Sequence, residues 1–352
     1  MKKITTISGS VRRCATAAST ALTALLLVAC TGDDEKAAPA VDEIPISVTS
    51  LANANTRATG TGHMHDIDTE GGTQQAFTTG RNIDLFLIES GDVEPSTDAW
   101  RYDGTTPSYL VADGRGLFAW YSDPARTQNI TRYWSATGNS LSFYAWYPAG
   151  IVTSLKDDAT ITVPTAQGAT DGDATCDLMV GTPRAGNPVK PTAQSVPLGF
   201  RHRLAKVVVN LKNATATSAV TTQLNNYAVS LGPDMLLEAT VNPSSAVVTT
   251  NNAGATGTVT IKDAGLQAVS PADNSTVTPH YCVIPPQMLT GKTIKIGEVN
   301  YTIPQRYDRD IEASAGFVYT FNLSFSSSMS VREVIEIEPW QDTNVLVDMT
   351  DH

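Results

Sequence analysis

Hydrophobic and polar positions alternate in short runs along most of the chain, which is the pattern of β-strands that bury one face. Ile83, Leu85 and Leu87 form one such run, and the longest places an apolar side chain at every second position from Phe317 to Phe325. Clusters of Gly, Pro, Asn and Asp separate the runs, and no segment keeps a helical period over three turns. The pattern predicts an all-β protein built from antiparallel β-sandwiches. Other strands are predicted at Leu117–Tyr121, Ile130–Trp134, Leu141–Tyr147, Thr160–Val163, Asp177–Gly181, Leu204–Leu211, Tyr227–Leu231, Met235–Val241, Thr258–Ile261, Tyr281–Ile284, Thr293–Ile296, Val299–Ile303 and Ile335–Ile337.

A proline-rich stretch suggests where the chain divides. The ten residues Thr182–Pro191 contain three prolines and one glycine, a composition typical of a loop between domains. A chain of 352 residues is long enough for about two domains. We therefore predict an N-terminal β-sandwich over residues 58–194 and a C-terminal β-sandwich over residues 195–352.

The N-terminus has the features of an export signal. An uncharged run, Ala15–Val28, is shorter than the ~18–20 residues needed to cross a bilayer as a helix, and it follows the basic residues Lys2, Lys3, Arg12 and Arg13. The run ends in Leu27-Val28-Ala29-Cys30, which resembles the lipobox of bacterial lipoproteins. This resemblance implies that residues 1–29 are removed and that Cys30 carries lipid in the outer membrane; a plain secretory peptide is the alternative.

An acidic cluster follows the cysteine at Asp33, Asp34 and Glu35. It resembles the export tag that sends lipoproteins of the Bacteroidales to the cell surface. A solvated linker is an equally good interpretation, and under either one residues 31–42 form a tether.

A removable strand is predicted just after this tether. Ile44, Ile46 and Val48 alternate with polar or small residues, and a stretch of small polar residues then leads to Arg57 and Ala58. Exposed loops of this composition are common sites of proteolytic cleavage, and cleavage after Arg57 would separate the strand from the rest of the chain. Residues 30–57 would then be a propeptide; the simpler alternative is a first strand followed by a loop.

The charge balance argues against one class of partner. The chain has 24 Lys and Arg against 35 Asp and Glu, so its net charge of −11 argues against a nucleic-acid partner. Cys176 and Cys282 are the two cysteines left after removal of the signal. They could form a disulfide, but because they fall in different predicted domains they are predicted to be buried thiols.

No catalytic residue, metal site or cofactor is predicted. The motif His63-Met64-His65-Asp66 has only a weak metal-binding pattern, and His202 is predicted to be structural. Asp171, Asp173 and Asp177 resemble a calcium loop in part, but the glycine and the final glutamate of such a loop are missing. The sequence contains no G-x-S-x-G, phosphate-binding loop or H-E-x-x-H motif, so we predict that the protein is not an enzyme.

Several motifs together resemble the fimbrillin family, the subunits of type V pili of the Bacteroidales. The motifs are the lipobox at Cys30, the Thr-Arg57-Ala58 site, Phe143-Tyr-Ala-Trp-Tyr-Pro148, Asp177-Leu-Met-Val-Gly181, Leu198-Gly-Phe-Arg-His202-Arg-Leu-Ala-Lys206 and Ile-Glu-Pro-Trp340. The resemblance covers almost the whole chain. It implies two tandem transthyretin-like β-sandwiches, cleavage after Arg57 by an arginine-specific protease, and assembly with other fimbrial subunits by strand exchange.

The last apolar run is the predicted donor in such an exchange. Val345, Val347 and Met349 lie on one face of residues 344–349, although this run is equally well interpreted as the last strand of its own domain. The short polar tail after it keeps a tip, anchor or accessory subunit open beside a stalk subunit.

A glycan-binding surface lipoprotein that never polymerises is the alternative function. It would use exposed aromatic rings for stacking, although aromatic residues on sandwich strands are more often part of the core. The residues in question are Trp120, Tyr121, Trp134, Tyr144, Trp146 and Tyr147. The sequence leaves open the adhesion ligand and the protease.

Overall fold

Strands make up almost all of the regular structure, as the alternating pattern predicted, and the all-β sandwich class is confirmed. The computed structural model describes residues 44–50, 52–53, 64–69, 72–90, 102–168, 175–326 and 331–339. The strands before residue 203 are β1 (Val48–Thr49), β2 (Ala52–Asn53), β3 (Met64–Thr69), β4 (Gly72–Phe77), β5 (Asn82–Glu89), β6 (Ser108–Ala112), β7 (Phe118–Tyr121), β8 (Asn129–Ile130), β9 (Leu141–Tyr147), β10 (Ala159–Thr162), β11 (Met179–Pro183) and β12 (Val196–His202).

The second half of the chain continues this pattern around one described helix, α1 (Ser218–Asn226). Its strands are β13 (Ala205–Asn213), β14 (Val229–Leu236), β15 (Glu238–Asn242), β16 (Val247–Thr250), β17 (Thr256–Lys262), β18 (His280–Ile284), β19 (Gln287–Met288), β20 (Thr293–Ile296), β21 (Val299–Thr302), β22 (Glu312–Ala313), β23 (Phe317–Phe325) and β24 (Val331–Pro339).

The first half is dominated by one eight-stranded sheet, which we call the first sheet. Its strand order is β1-β12-β11-β9-β5-β6-β7-β8, and a separate small sheet has the order β2-β4-β3. All neighbours in the first sheet are antiparallel except β1 and β12, which are parallel.

Two four-stranded sheets carry most of the second half. Their orders are β18-β13-β23-β24 and β17-β14-β20-β21. The strands β13 and β23 are parallel, from the pair Lys206–Val318 to the pair Asn213–Phe325, which differs from the antiparallel arrangement predicted. A parallel pair needs a long crossover connection, and the residues between these two strands supply it.

The buried side chains form two clusters, one on each face of β5. In β5, Ile83, Leu85 and Leu87 face a first cluster of buried side chains, which we call the N-terminal core. Phe86 points to the other face of the sheet, where it belongs to a larger cluster, the shared core, that also contains residues of β13, β14 and β23. A strand buried on both faces has a nearly unbroken hydrophobic sequence, as Ile83–Ile88 does apart from Asp84.

A further contact joins the two predicted domains. The strand β10 pairs with β15, so residues before position 194 and residues after it form a single sheet with β16. All the described residues lie within one compact unit, Val41–His352. The boundary between residues 194 and 195 stays a prediction.

Candidate functional site

The N-terminal segment, residues 44–50, lies between the two ends of the first sheet. On one side β1 pairs with β12, and the Val196 amide donates to the Ser47 carbonyl at 2.8 Å. On the other side the Ile46 amide donates to the carbonyl of Arg132 at 2.7 Å, and the Ser50 amide donates to that of Gly116 at 2.9 Å. The segment therefore closes the sheet into a barrel-like layer, with hydrogen bonds to both edges.

The side chains of this segment alternate between the core and the surface. Ile46 and Val48 are 3% and 1% exposed and belong to the N-terminal core, and Ile44 packs against it while half-buried. Between them, Ser47 and Thr49 are half-exposed. The sequence predicted this alternation for Ile44, Ile46 and Val48, although only Val48–Thr49 has regular strand geometry.

Aromatic residues form much of the wall that the segment covers. The ring centroids of Trp134 and Phe143 are 5.9 Å apart with the rings nearly perpendicular, and the Trp134 indole donates to the Thr192 carbonyl at 3.0 Å. The backbone amide of Trp134 also donates to the Ile44 carbonyl at 3.1 Å. We call the space between β12 and residues 116–134 that the segment fills the N-terminal groove.

Ser50 places an unfavourable polar group in the N-terminal groove. It is 2% exposed and lies on the same face as Ile46 and Val48, yet its hydroxyl has no hydrogen-bond partner among the described residues. A buried hydroxyl without a partner destabilises a fold by about 1–3 kcal/mol.

Replacing Ser50 by Val is expected to stabilise the intact chain by about 1–2 kcal/mol, because the substitution removes the buried hydroxyl and adds apolar contact. Urea denaturation of the intact chain measures the change. Ser47→Val is the matched control, since the Ser47 hydroxyl is hydrogen-bonded to that of Ser195 at 2.7 Å and lies on the outer face. Equal or lower stability of Ser50→Val would contradict this account.

Two residues between the segment and the predicted cleavage site form a short strand. Ala52 and Asn53 form β2 and pair with Gln75 and Gln74 of β4. Cys30, Arg57, Ala58, Val345, Val347 and Met349 lie outside the described residues, so their predicted roles stay predictions.

A buried pair explains two of the polar residues noted in the sequence. The His202 ring nitrogen Nδ1 lies 2.7 Å from the Asp177 carboxylate oxygen Oδ1, and both side chains are within 1% of complete burial. Asp177 therefore serves the packing of β11 against β12 rather than a calcium loop, while Asp171 and Asp173 lie outside the described residues. In the part of the chain that the structure describes, no group of three or more His, Cys, Asp or Glu residues could hold a metal.

The cysteines and most of the aromatic residues lie in the core. Cys176 and Cys282 are both buried as thiols, and burial raises the pKa of the Cys282 thiol. Four of the six aromatic residues considered for stacking are buried, and Tyr121 and Tyr144 are half-buried. The buried four are Trp120, Trp134, Trp146 and Tyr147. Among the described helices, none has the length and apolar character to span a membrane.

These features define an all-β sandwich protein with a groove that its own N-terminal segment fills. Residues 56–340 match the model of the fimbrillin-like family, and the chain belongs to this family. Membership gives the protein a fimbrial, non-enzymatic role at the cell surface and indicates interaction with other fimbrial subunits.

Two solved structures have the same fold at low sequence identity. A candidate cell adhesion protein from Bacteroides uniformis and another from Bacteroides ovatus each share 16% identity with the chain at a TM-score of 0.55, and the match covers 84% of this chain and 98% of each of them. The tip fimbrial protein Mfa3 from Porphyromonas gingivalis has 10% identity and a TM-score of 0.46, over 84% of this chain and 99% of that one. A search of curated proteins gave no match.

Proposed function

We propose that the protein is a structural and adhesive subunit of a surface fimbria that assembles by strand exchange. The precursor is exported as an outer-membrane lipoprotein through Cys30, and cleavage after Arg57 releases the N-terminal segment. The vacated N-terminal groove then receives a strand from a neighbouring subunit. The observation that supports this most is the position of residues 44–50, which join both edges of the first sheet and cover its core.

The energetics of the groove favour an exchange over an empty state. Removal of the segment exposes the apolar surface that Ile46, Val48 and part of Ile44 cover. Burial of each fully buried side chain stabilises the chain by roughly 1.5–3 kcal/mol, and this stabilisation is lost. It also leaves backbone groups of Arg132, Trp134 and Val196 without their partners. An incoming strand with alternating apolar residues restores both kinds of contact by β-augmentation.

The donor strand in this proposal is the run of residues 344–349. Val345, Val347 and Met349 have the same spacing as Ile44, Ile46 and Val48. A register shifted by two residues places Met349, rather than Asp351, at the position of Ser50, and this register also removes the buried hydroxyl.

The mature N-terminus tests the proposal. Protein sheared from cells is analysed by intact mass and N-terminal sequencing, for the natural chain and for Arg57→Ala. We expect the natural chain to begin at Ala58, and we expect Arg57→Ala to keep the N-terminal segment and to be absent from polymers. Arg115→Ala removes an exposed arginine elsewhere in the chain and is expected to be processed normally. A mature chain that begins at an acylated Cys30, with normal polymers from Arg57→Ala, would contradict the proposal.

A further inference from the structure

One row of paired side chains runs across the first sheet and passes from the core to the surface. Asp84 in β5 lies opposite Trp146 in β9 and opposite Tyr109 in β6, and Tyr109 lies opposite Tyr121 in β7. Residues directly opposite each other share a face of the sheet. Trp146 and Asp84 are buried in this row, whereas Tyr109 and Tyr121 are half-exposed. The part of the chain that covers this face of the sheet therefore ends at Asp84.

A cavity opens where this cover ends. Its volume is about 570 Å³, within the range of roughly 300–1,000 Å³ of small-molecule sites. Asp84 and Tyr109 line it together with Asn82, Pro107 and Pro124, so it combines rigid apolar walls with a few polar groups. We call this cavity the Asp84 pocket.

The carboxylate of Asp84 is held in one orientation. Its oxygen Oδ1 accepts a hydrogen bond from Nη2 of Arg126 at 2.8 Å, and Oδ2 accepts one from the Gly150 amide at 2.7 Å. Each carboxylate oxygen has two lone pairs, so both oxygens can accept one more hydrogen bond. Burial raises the pKa of Asp84, and Arg126 and the Gly150 amide oppose this rise.

The guanidinium of Arg126 is held in place by several hydrogen bonds within the protein. It also donates from Nη1 to the Pro124 carbonyl at 2.8 Å and from Nε to the Leu110 carbonyl at 3.3 Å. Its carbon Cζ lies 5.4 Å from the centroid of the Tyr109 ring. Arg126 therefore neutralises Asp84 and fixes both residues, and the buried part of the pocket has no net charge.

We propose that the Asp84 pocket binds one ring of an uncharged sugar. A fixed carboxylate accepts hydrogen bonds from neighbouring hydroxyls, and the half-exposed Tyr109 ring and the prolines give apolar surface for the C–H faces of the ring. The neutral Asp84–Arg126 pair favours an uncharged ligand over an ionic one, although Arg81 also lines the pocket.

The site is separate from the N-terminal groove. Ile83 and Leu85, the neighbours of Asp84 in β5, point to the opposite face and belong to the N-terminal core that Ile46 and Val48 cover. The proposal therefore does not depend on strand exchange, and either can fail without the other.

Saturation-transfer difference NMR of the purified full chain tests the proposal. The probes are methyl glycosides of glucose, galactose, mannose, fucose and N-acetylglucosamine at millimolar concentrations, with methyl glucuronide as the charged comparison. The variants are Asp84→Asn, which removes the charge, and Tyr109→Leu, which removes a half-exposed ring. Tyr307→Leu is the matched control, because Tyr307 is 85% exposed and does not line the pocket. Circular dichroism verifies that each variant is folded.

We expect saturable binding of at least one uncharged glycoside, weakened at least about tenfold by Tyr109→Leu and unchanged by Tyr307→Leu. Asp84→Asn, where it folds, is expected to weaken binding to a similar degree. Absence of binding to every uncharged glycoside, binding of the glucuronide alone, or equal binding by Tyr109→Leu and Tyr307→Leu would each overturn the proposal.

Discussion

A chain with Ile46→Asp is expected to lose about 3–5 kcal/mol of its free energy of unfolding before processing. Ile46 is 3% exposed and lies in the N-terminal core, so the substitution removes apolar contact and takes a carboxylate out of water. Urea denaturation of the uncleaved chain measures this loss.

The control is a substitution of the neighbouring residue, Ser47. Ser47→Asp places the same charge on the outer face, where Ser47 is half-exposed, and is expected to cost less than about 1 kcal/mol. Under the proposed function, Ile46→Asp leaves the stability of the mature chain unchanged, because residue 46 is removed by cleavage after Arg57. A small loss in the uncleaved chain would mean that the segment does not hold the core closed.

A synthetic peptide of residues 343–350 is expected to bind the chain cleaved at Arg57 at least about 100-fold more tightly than the intact chain. In the intact chain the N-terminal segment fills the groove and must leave before the peptide can enter. Under the proposed function the segment dissociates after cleavage, and the peptide is then expected to make the apolar contacts and the backbone hydrogen bonds of Ile46 and Val48. Isothermal titration calorimetry of both forms measures the ratio.

The matched control is the same peptide with Val345→Asp and Val347→Asp, which keeps its length but removes two apolar side chains. We expect this peptide to bind neither form. Equal affinity of the original peptide for the intact and cleaved chains would show that it binds outside the groove and would exclude residues 344–349 as the donor strand.

The elements that were predicted well are those whose pattern is local. Four side chains of β23, Tyr319, Phe321, Leu323 and Phe325, are buried as the alternation predicted, and Phe317 at the start is partly buried. Ile46 and Val48 follow the same rule at the other end of the chain. A period of two fixes which face of a strand is buried, and no knowledge of its neighbours is needed.

The features that were missed depend on contacts between distant residues. The parallel direction of β13 and β23 cannot be read from either strand, because both directions use the same alternation. The Asp84 pocket depends on the register between β5 and β6, which brings Asp84 opposite Tyr109, and on a loop that places Arg126 beside both. The pair of Asp177 and His202 likewise joins two strands across a loop.

The parallel pairing of β1 with β12 joins two strands that are far apart in the sequence. Ser47 and its partner Ser195 are 148 residues apart, so the binding site of β1 is completed only after β12 has been synthesised. Contacts between residues so distant in sequence form late, since the loop between them must first be closed. Until β12 has been synthesised, the apolar face of residues 44–48 has no partner strand, and it is then open to a chaperone that binds short apolar strands.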